Sequence, residues 1–322
     1  MDTFHITEAA RRLGITTRTI RFYEEKGLLT FSKDPVNGYR LFSGHDLLRL
    51  ETILVLREAG LSIPDLRNVL ETHGMGRQEE SLYLLELQRS LLYARRLDLD
   101  NQIRMNEELI RSFSREGMNL SPALQHQAGD VRKQRELRSS WTDHYRFDLQ
   151  AEDFDAQLAE GSAQYPGYPD AIRLMAELLD PKPAESGLDI GTGTGNLAEA
   201  LGKQGAVIRG VDQSRRMLQV CRRKFPMMET KLGNALAIPY DAGSFDFAAS
   251  GYVFHLLAPE ERSQALAELL RVLKPGGRFA ICALLPAEAW SFAAAVLDGW
   301  QTHLHPLPGQ KQVSVLYAAK PC

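Results

Sequence analysis

From Gln78 to Glu116 the chain runs without a proline, and Leu82, Leu85, Leu92, Leu99, Ile103, Ile110 and Phe113 fall on the a and d positions of one heptad register. A helix over this stretch is roughly 57 Å long at 1.5 Å per residue. That is too long to lie on a small domain, and its apolar seam needs a second helix to cover it. Arg89, Arg96 and Asn106 stand in the seam and interrupt it. The stretch therefore predicts a dimerisation helix over residues 76–117, paired as a coiled coil, and with it a homodimer.

The residues on either side differ in texture, so the chain reads as multidomain. At 322 residues it is about twice a typical domain of roughly 150 residues. Residues 1–75 carry short helical patterns, Thr7–Leu13, Thr16–Lys26, Asp46–Ala59 and Ile63–Leu70, punctuated by Gly14 and Gly60, with Asn37-Gly38 as a hairpin turn. Residues 118–144 are polar, contain Pro122 and Gly129, and read as a linker. Over 145–322, apolar runs such as GLDIG, AVIRGVD, FDFAASGY, GRFAICALL and QVSVLYAA alternate with helical patterns, which is the signature of a doubly wound α/β domain with a mostly parallel sheet.

Several classes fall away. The longest stretches free of Asp, Glu, Lys and Arg, such as Phe247–Pro259 and Phe279–Ala287, are well short of the ~20 apolar residues that cross a bilayer, so no membrane partner is expected. The opening MDTFHITEAA lacks the basic-then-apolar order of a secretory signal, which places the protein in the cytoplasm as an expectation. Cys221, Cys282 and Cys322 are far apart and form no ligand cluster with histidines, so no metal is expected. The net charge of -3 argues against indiscriminate coating of nucleic acid, yet Arg11, Arg12, Arg18 and Arg21 form a local stripe with no acid between them, of the kind that meets phosphates.

A helix, a turn at Gly14-Ile15 and a second helix begun at Thr16 or Thr17 make a helix-turn-helix, and arginines and tyrosine on the second helix suit a major groove. The segment TTRTIRFYEEKGLL followed by NGYRLF, then HDLLRLETILVLREAGLSIPDLRNVL, resembles the MerR family of transcriptional regulators. The resemblance implies a winged helix-turn-helix that binds promoter DNA as a dimer, joined through an antiparallel coiled coil, and distorts it, so that RNA polymerase is affected indirectly. By position it implies DNA contacts from Arg18, Arg21, Tyr23, Tyr39 and Arg40; Phe22 stands where a tyrosine is frequent. The chain has no Cys before Cys221, which departs from the metal-sensing branch and leaves any effector to the C-terminal half.

In that half, GLDIGTGTGNLAEAL is followed by a strand ending in Asp212. Glycines let a backbone approach a ligand, and an acid at the end of the next strand accepts ribose hydroxyls. Asn196 replaces the third glycine of a dinucleotide fingerprint and no GK[ST] follows, so nicotinamide cofactors are disfavoured and a P-loop is excluded. With GVDQSRRML, GNALAIPYDAGSFD and RVLKPGGRFAI in order, the segment 187–285 resembles class I S-adenosylmethionine-dependent methyltransferases. The resemblance implies a Rossmann-like domain with a seven-stranded sheet and S-adenosylmethionine as cofactor. Asp189, Gly191, Gly193 and Gly195 would hold the methionine end, Asp212 the ribose, and Met217 the adenine face. Asn234 and Ala235 would meet the adenine edge, the Asn oxygen accepting the amino hydrogen, with Gln213 and Ser250 completing the site.

In-line methyl transfer asks the protein for alignment, with a base only where the nucleophile carries a proton. His255, after the fourth strand, is the candidate base, and Tyr145, Phe147, Phe154, Tyr165 and Tyr168 resemble a cover over the cofactor. The aromatic spacing by itself favours plain core. No feature identifies the small-molecule acceptor, and the absence of an N-P-P-Y tetrad argues against amino-base DNA methylation. Two functions remain open: an active methyltransferase on a small molecule, and a non-catalytic sensor of S-adenosylmethionine or its demethylated product.

Overall fold

The computed structural model describes residues 4–33, 38–116, 128–129, 131–133, 135–136, 146–294 and 296–320. It divides into two compact units, Met1–Gln88 and Arg89–Cys322, with the division inside the long helix.

The first unit opens with β1 (Phe4–His5) and α1 (Ile6–Arg12), followed by α2 (Thr17–Glu25). Gly14, at φ +65°, makes the turn between the helices, and the Thr16 hydroxyl accepts the Thr19 N–H to start α2, satisfying one of the donors a helix start leaves over. β2 (Ser32–Lys33) and β3 (Arg40–Phe42) pair antiparallel and β1 adds to β3, forming the wing; Asn37 of the expected turn lies outside the described residues. α3 (Gly44–Glu58) begins with a capping box between Ser43 and Asp46, and α4 (Ile63–Gly74) has Ser62 as cap and Pro64 in its first turn. Their apolar faces meet in one core with Ile20, Leu28, Phe42, Leu50, Ile53 and Leu66.

The long helix forms over the expected residues, as α5 (Gln78–Glu116). All seven apolar a and d side chains are exposed, by 37% to 60%.

The second unit is a seven-stranded sheet of β4 (Ser186–Ile190), β5 (Val207–Asp212), β6 (Thr230–Leu232), β7 (Phe245–Gly251), β8 (Leu273–Leu284), β9 (Gln301–Pro306) and β10 (Val313–Ala319). The order is β6-β5-β4-β7-β8-β10-β9, and β10 is antiparallel to both neighbours. Apolar cores lie in two clusters, one including Leu188, Phe245 and Phe279, the other including Met175, Leu197, Phe247 and Val315. Strands buried on both faces read as unbroken apolar runs, as GLDIG and FDFAASGY do. β6 and β9 were not visible in the sequence, because β6 is three residues long and β9, at the sheet edge, is polar and exposed. The carboxyl ends of β4 and β5, with β7 on the other side of β4, form the switch point where open α/β sheets bind ligands.

Candidate functional site

A cavity opens at that switch point. Its floor is Ile190, Gly191, Thr192 and Gly193 after β4, Asp212 and Gln213 after β5, Met217, and the loop Gly233–Leu236 after β6. A Cβ on Gly193 would touch no other atom within 4 Å, so the missing side chain leaves the backbone open to a ligand. Asp212 is held in place by two backbone donors: Gly193 N–H to Oδ2 and Ser214 N–H to Oδ1, both at 2.8 Å. Since a carboxylate has about four acceptor sites, it can take ligand hydroxyls as well.

The opposite wall comes from the segment before β4. α6 (Phe147–Gln150) and α7 (Phe154–Ala159) contribute Phe147 and Phe154, and Tyr165 and Tyr168 follow, all four lining the cavity. Two aspartates tie this segment down. Asp148 accepts from the Ser214 hydroxyl at 2.6 Å and the Arg216 N–H at 3.0 Å, at the start of the helix after β5. Asp155 accepts from the Thr194 hydroxyl at 2.5 Å, Asn196 Nδ2 at 2.9 Å and Lys224 Nζ at 2.6 Å. Phe154 and Tyr165 belong at the same time to the apolar core of the unit, with Phe147 and Tyr168 packed against it, so these rings are both core and cavity wall. Tyr145 lies outside the described residues.

Of the expected cofactor residues, Gly191, Gly193, Asp212, Gln213, Met217, Asn234 and Ala235 line the cavity. Three do not. Asp189 is buried beneath the loop, where its Oδ2 accepts the Thr192 hydroxyl; burial pushes its carboxyl up to about 7, and Oδ1 has no hydrogen-bond partner. Gly195, at φ +93°, starts the next helix, where a Cβ would be 2.9 Å from Cys221 Sγ and Phe225, so it serves packing. Ser250 is fully buried and donates to the Ile190 carbonyl, stitching β7 to β4. Asn234 also departs from expectation: its Oδ1 already accepts the Leu236 and Ala237 N–H groups, so it shapes the loop. The backbone there and Ala235 and Leu236 are left to meet a flat ligand.

The remaining lining residues are Gly251, Tyr252, Val253, Leu256, Leu257 and Glu261. His255 is absent from the wall. Its ring stands edge-on to Tyr252, its Nδ1 has no partner, and burial, with Arg262 adding to it, pushes its pKa down to about 4. Burial also raises the phenols of Tyr165, Tyr168 and Tyr252, so they are neutral donors. Glu261 accepts the Ala258 N–H at 2.7 Å.

In the first unit, Arg18 and Arg21 are exposed on α2. Tyr39 is exposed, and Arg40 beside it donates to Glu24 at 2.7 Å. Tyr23 contradicts the expectation. It is buried in the core, because it lies three residues after Ile20 on the inward face of α2, and no DNA contact is assigned to it.

A winged helix-turn-helix unit and a methyltransferase-type α/β unit are thus joined in one chain. Residues 4–72 match the MerR HTH family of regulatory proteins, and residues 188–281 match the methyltransferase domain family. Over 118 residues the chain is 35% identical to the HTH-type transcriptional regulator YfmP of Bacillus subtilis, which covers 35% of this chain and 84% of that protein. The chain belongs to the MerR family of HTH regulatory proteins. It is also 41% identical over 109 residues to a demethylmenaquinone methyltransferase of Shouchella clausii, covering 31% of this chain and 45% of that enzyme. An uncharacterized methyltransferase of Schizosaccharomyces pombe is 35% identical over 130 residues, 40% of this chain and 51% of that protein. The chain thus spans about half the length, or less, of these methyltransferases.

The cofactor such a domain implies is S-adenosylmethionine, and the groups present fit it. Asp212 offers acceptors for ribose hydroxyls, the open backbone at Gly193 admits a close ligand, and the loop Asn234–Leu236 offers an apolar bed beside Met217.

Proposed function

We propose that the protein is a dimeric regulator that binds promoter DNA through α2 and the wing, and that its C-terminal unit binds S-adenosylmethionine as effector and methylates a small molecule. The observation that carries this reading is the cavity itself: a glycine loop, a ribose acid and an aromatic cover, fastened together by Asp148 and Asp155. When bound, the cofactor supplies a methyl group on a cationic sulfur, which leaves as a thioether with the electron pair of the broken bond. The residues of the chain supply the rest. Asp212 orients the ribose, and Phe147, Phe154, Tyr165 and Tyr168 shut water out of the cavity, aligning the in-line approach.

Among the described lining residues the phenols are raised and His255 lies outside the wall, which leaves Glu261, whose carboxylate accepts one N–H from Ala258 and keeps acceptor capacity, as the candidate base. The acceptor therefore presents an unprotonated lone pair, or releases its proton to water or to the Glu261 carboxylate in the wall. That the expected base His255 stands outside the wall supports a second reading, in which the unit senses S-adenosylmethionine or S-adenosylhomocysteine without turnover.

The dimer rests on the seven exposed apolar positions of α5, which a second copy of the helix would cover. Arg18, Arg21, Tyr39 and Arg40 are the DNA-facing residues in this reading, and RNA polymerase is affected through the DNA.

Calorimetric titration of S-adenosylmethionine and S-adenosylhomocysteine tests the cofactor reading. Micromolar binding is expected in the native protein, with a loss of about 1.5 to 3 kcal/mol, more than tenfold, in Asp212→Ala, which leaves ribose hydroxyls unpaired. Absence of binding in the native protein contradicts it. Cofactor consumption in a screen of small acceptors separates enzyme from sensor.

A further inference from the structure

One polar group in the cavity wall has no partner. The Tyr165 hydroxyl is buried, its residue is only 5% exposed, and no hydrogen bond reaches it. Its ring is fixed from three sides: Phe154 at 5.3 Å, Tyr252 at 5.7 Å and Tyr168 at 6.3 Å between centroids, all edge-on. The backbone beyond it is fixed too. The Tyr252 hydroxyl donates to the Pro166 carbonyl at 2.7 Å, and Tyr252 itself sits at φ +59°, a conformation a tyrosine adopts only when its surroundings impose it. Next, Gly167 is at φ +70°, and a Cβ there would lie 2.6 Å from Leu307. The phenol is thus held in one place, in the wall of the cavity whose floor carries the Asp212 carboxylate.

A buried hydroxyl without a partner is costly, and rigid surroundings hold this one in the lining of the same cavity as a carboxylate, which can only accept. One functional group can bridge the two: an alcohol, which donates to the carboxylate and accepts from the phenol. We propose that Tyr165 is a positioning residue of the cofactor site, and that its hydroxyl and the Asp212 carboxylate together read one ribose hydroxyl. The assignment rests on the S-adenosylmethionine reading above and adds to it a donor from the cover. The cover thereby brings to the ribose a donor, which a carboxylate is not.

The test is a comparison of ligands on Tyr165→Phe, read by calorimetry and thermal unfolding of the full chain. S-adenosylhomocysteine should bind about five- to tenfold more weakly to the variant. 5′-Methylthioadenosine, which keeps the ribose and lacks the amino acid, should lose the same factor. Of the 2′-deoxy and 3′-deoxy forms of S-adenosylhomocysteine, one should bind native and variant protein within about twofold of each other. The unfolding midpoint without ligand should stay the same or rise, because the variant removes a hydroxyl that bonds to nothing. The proposal is overturned by unchanged S-adenosylhomocysteine affinity in the variant, by the factor persisting with both deoxy forms, or by its vanishing with 5′-methylthioadenosine. A lowered midpoint without ligand overturns it as well, making Tyr165 structural. Native protein that binds none of the ligands overturns the cofactor reading first, an outcome distinct from binding that the variant leaves unaltered.

Discussion

The chain holds two apolar stripes with opposite fates. The rings of Phe147, Phe154, Tyr165 and Tyr168 close over a cavity in their own unit, while the seven apolar a and d residues of α5 stay exposed by 37% to 60%. The difference lies in what accompanies each stripe. The aromatic segment brings Asp148 and Asp155, which find hydroxyl, backbone and ammonium donors at the cofactor loops. On the helix Arg96 pairs with Asp241 at 2.6 Å while the apolar seam stays exposed, and burying apolar surface is worth about 25 cal/mol per Å² only where a partner exists. One stripe is completed within the chain; in the proposed reading the other is completed by a second copy.

The largest effect that breaks this contrast is on α5. Leu99→Asp with Ile103→Asp puts four carboxylates into the seam of a dimer. Light scattering should return the monomer mass at micromolar concentration, and operator affinity should fall by at least about a hundredfold as the two half-sites uncouple. A variant that stays dimeric removes α5 as the interface.

Smaller effects sharpen the reading of the DNA-binding surface. Arg18→Ala or Arg40→Ala should each weaken operator binding in a gel shift by about 1 to 3 kcal/mol if a bidentate base contact is lost, and less for a phosphate contact. Tyr23→Phe should leave it within about twofold, because that ring is in the core. A larger loss in Tyr23→Phe than in Arg18→Ala would reverse the assignment.

These surfaces differ in how far the sequence reveals them. α5 is legible to its ends, since a sustained heptad without proline has no other form. The sheet is legible wherever strands are buried on both faces, and unreadable at β6 and β9. Within the cavity, position along a motif does not distinguish a residue that lines the cavity from one that supports it. Asp189 and Ser250 lie within β4 and β7 with their side chains buried, Gly195 packs against Cys221 and Phe225, and the Asn234 oxygen is taken by its own loop. Tyr23 fails for the same reason, since one step round a helix moves a side chain from groove to core. The cover is the hardest part, because its role depends on Asp148 and Asp155 meeting loops some 40 to 70 residues away in the chain.

The central claim is that the cofactor unit reports to the DNA-binding unit. A ligand shifts a two-state equilibrium only through unequal affinity for the two states, and the coupling is reciprocal. The direct measurement is the affinity for S-adenosylmethionine with and without saturating operator duplex, selected by the protein from a random pool. The account predicts that operator changes cofactor affinity by at least about fivefold, and that cofactor changes operator affinity by the same factor. Equal affinities in both titrations would contradict it, leaving two independent functions on one chain.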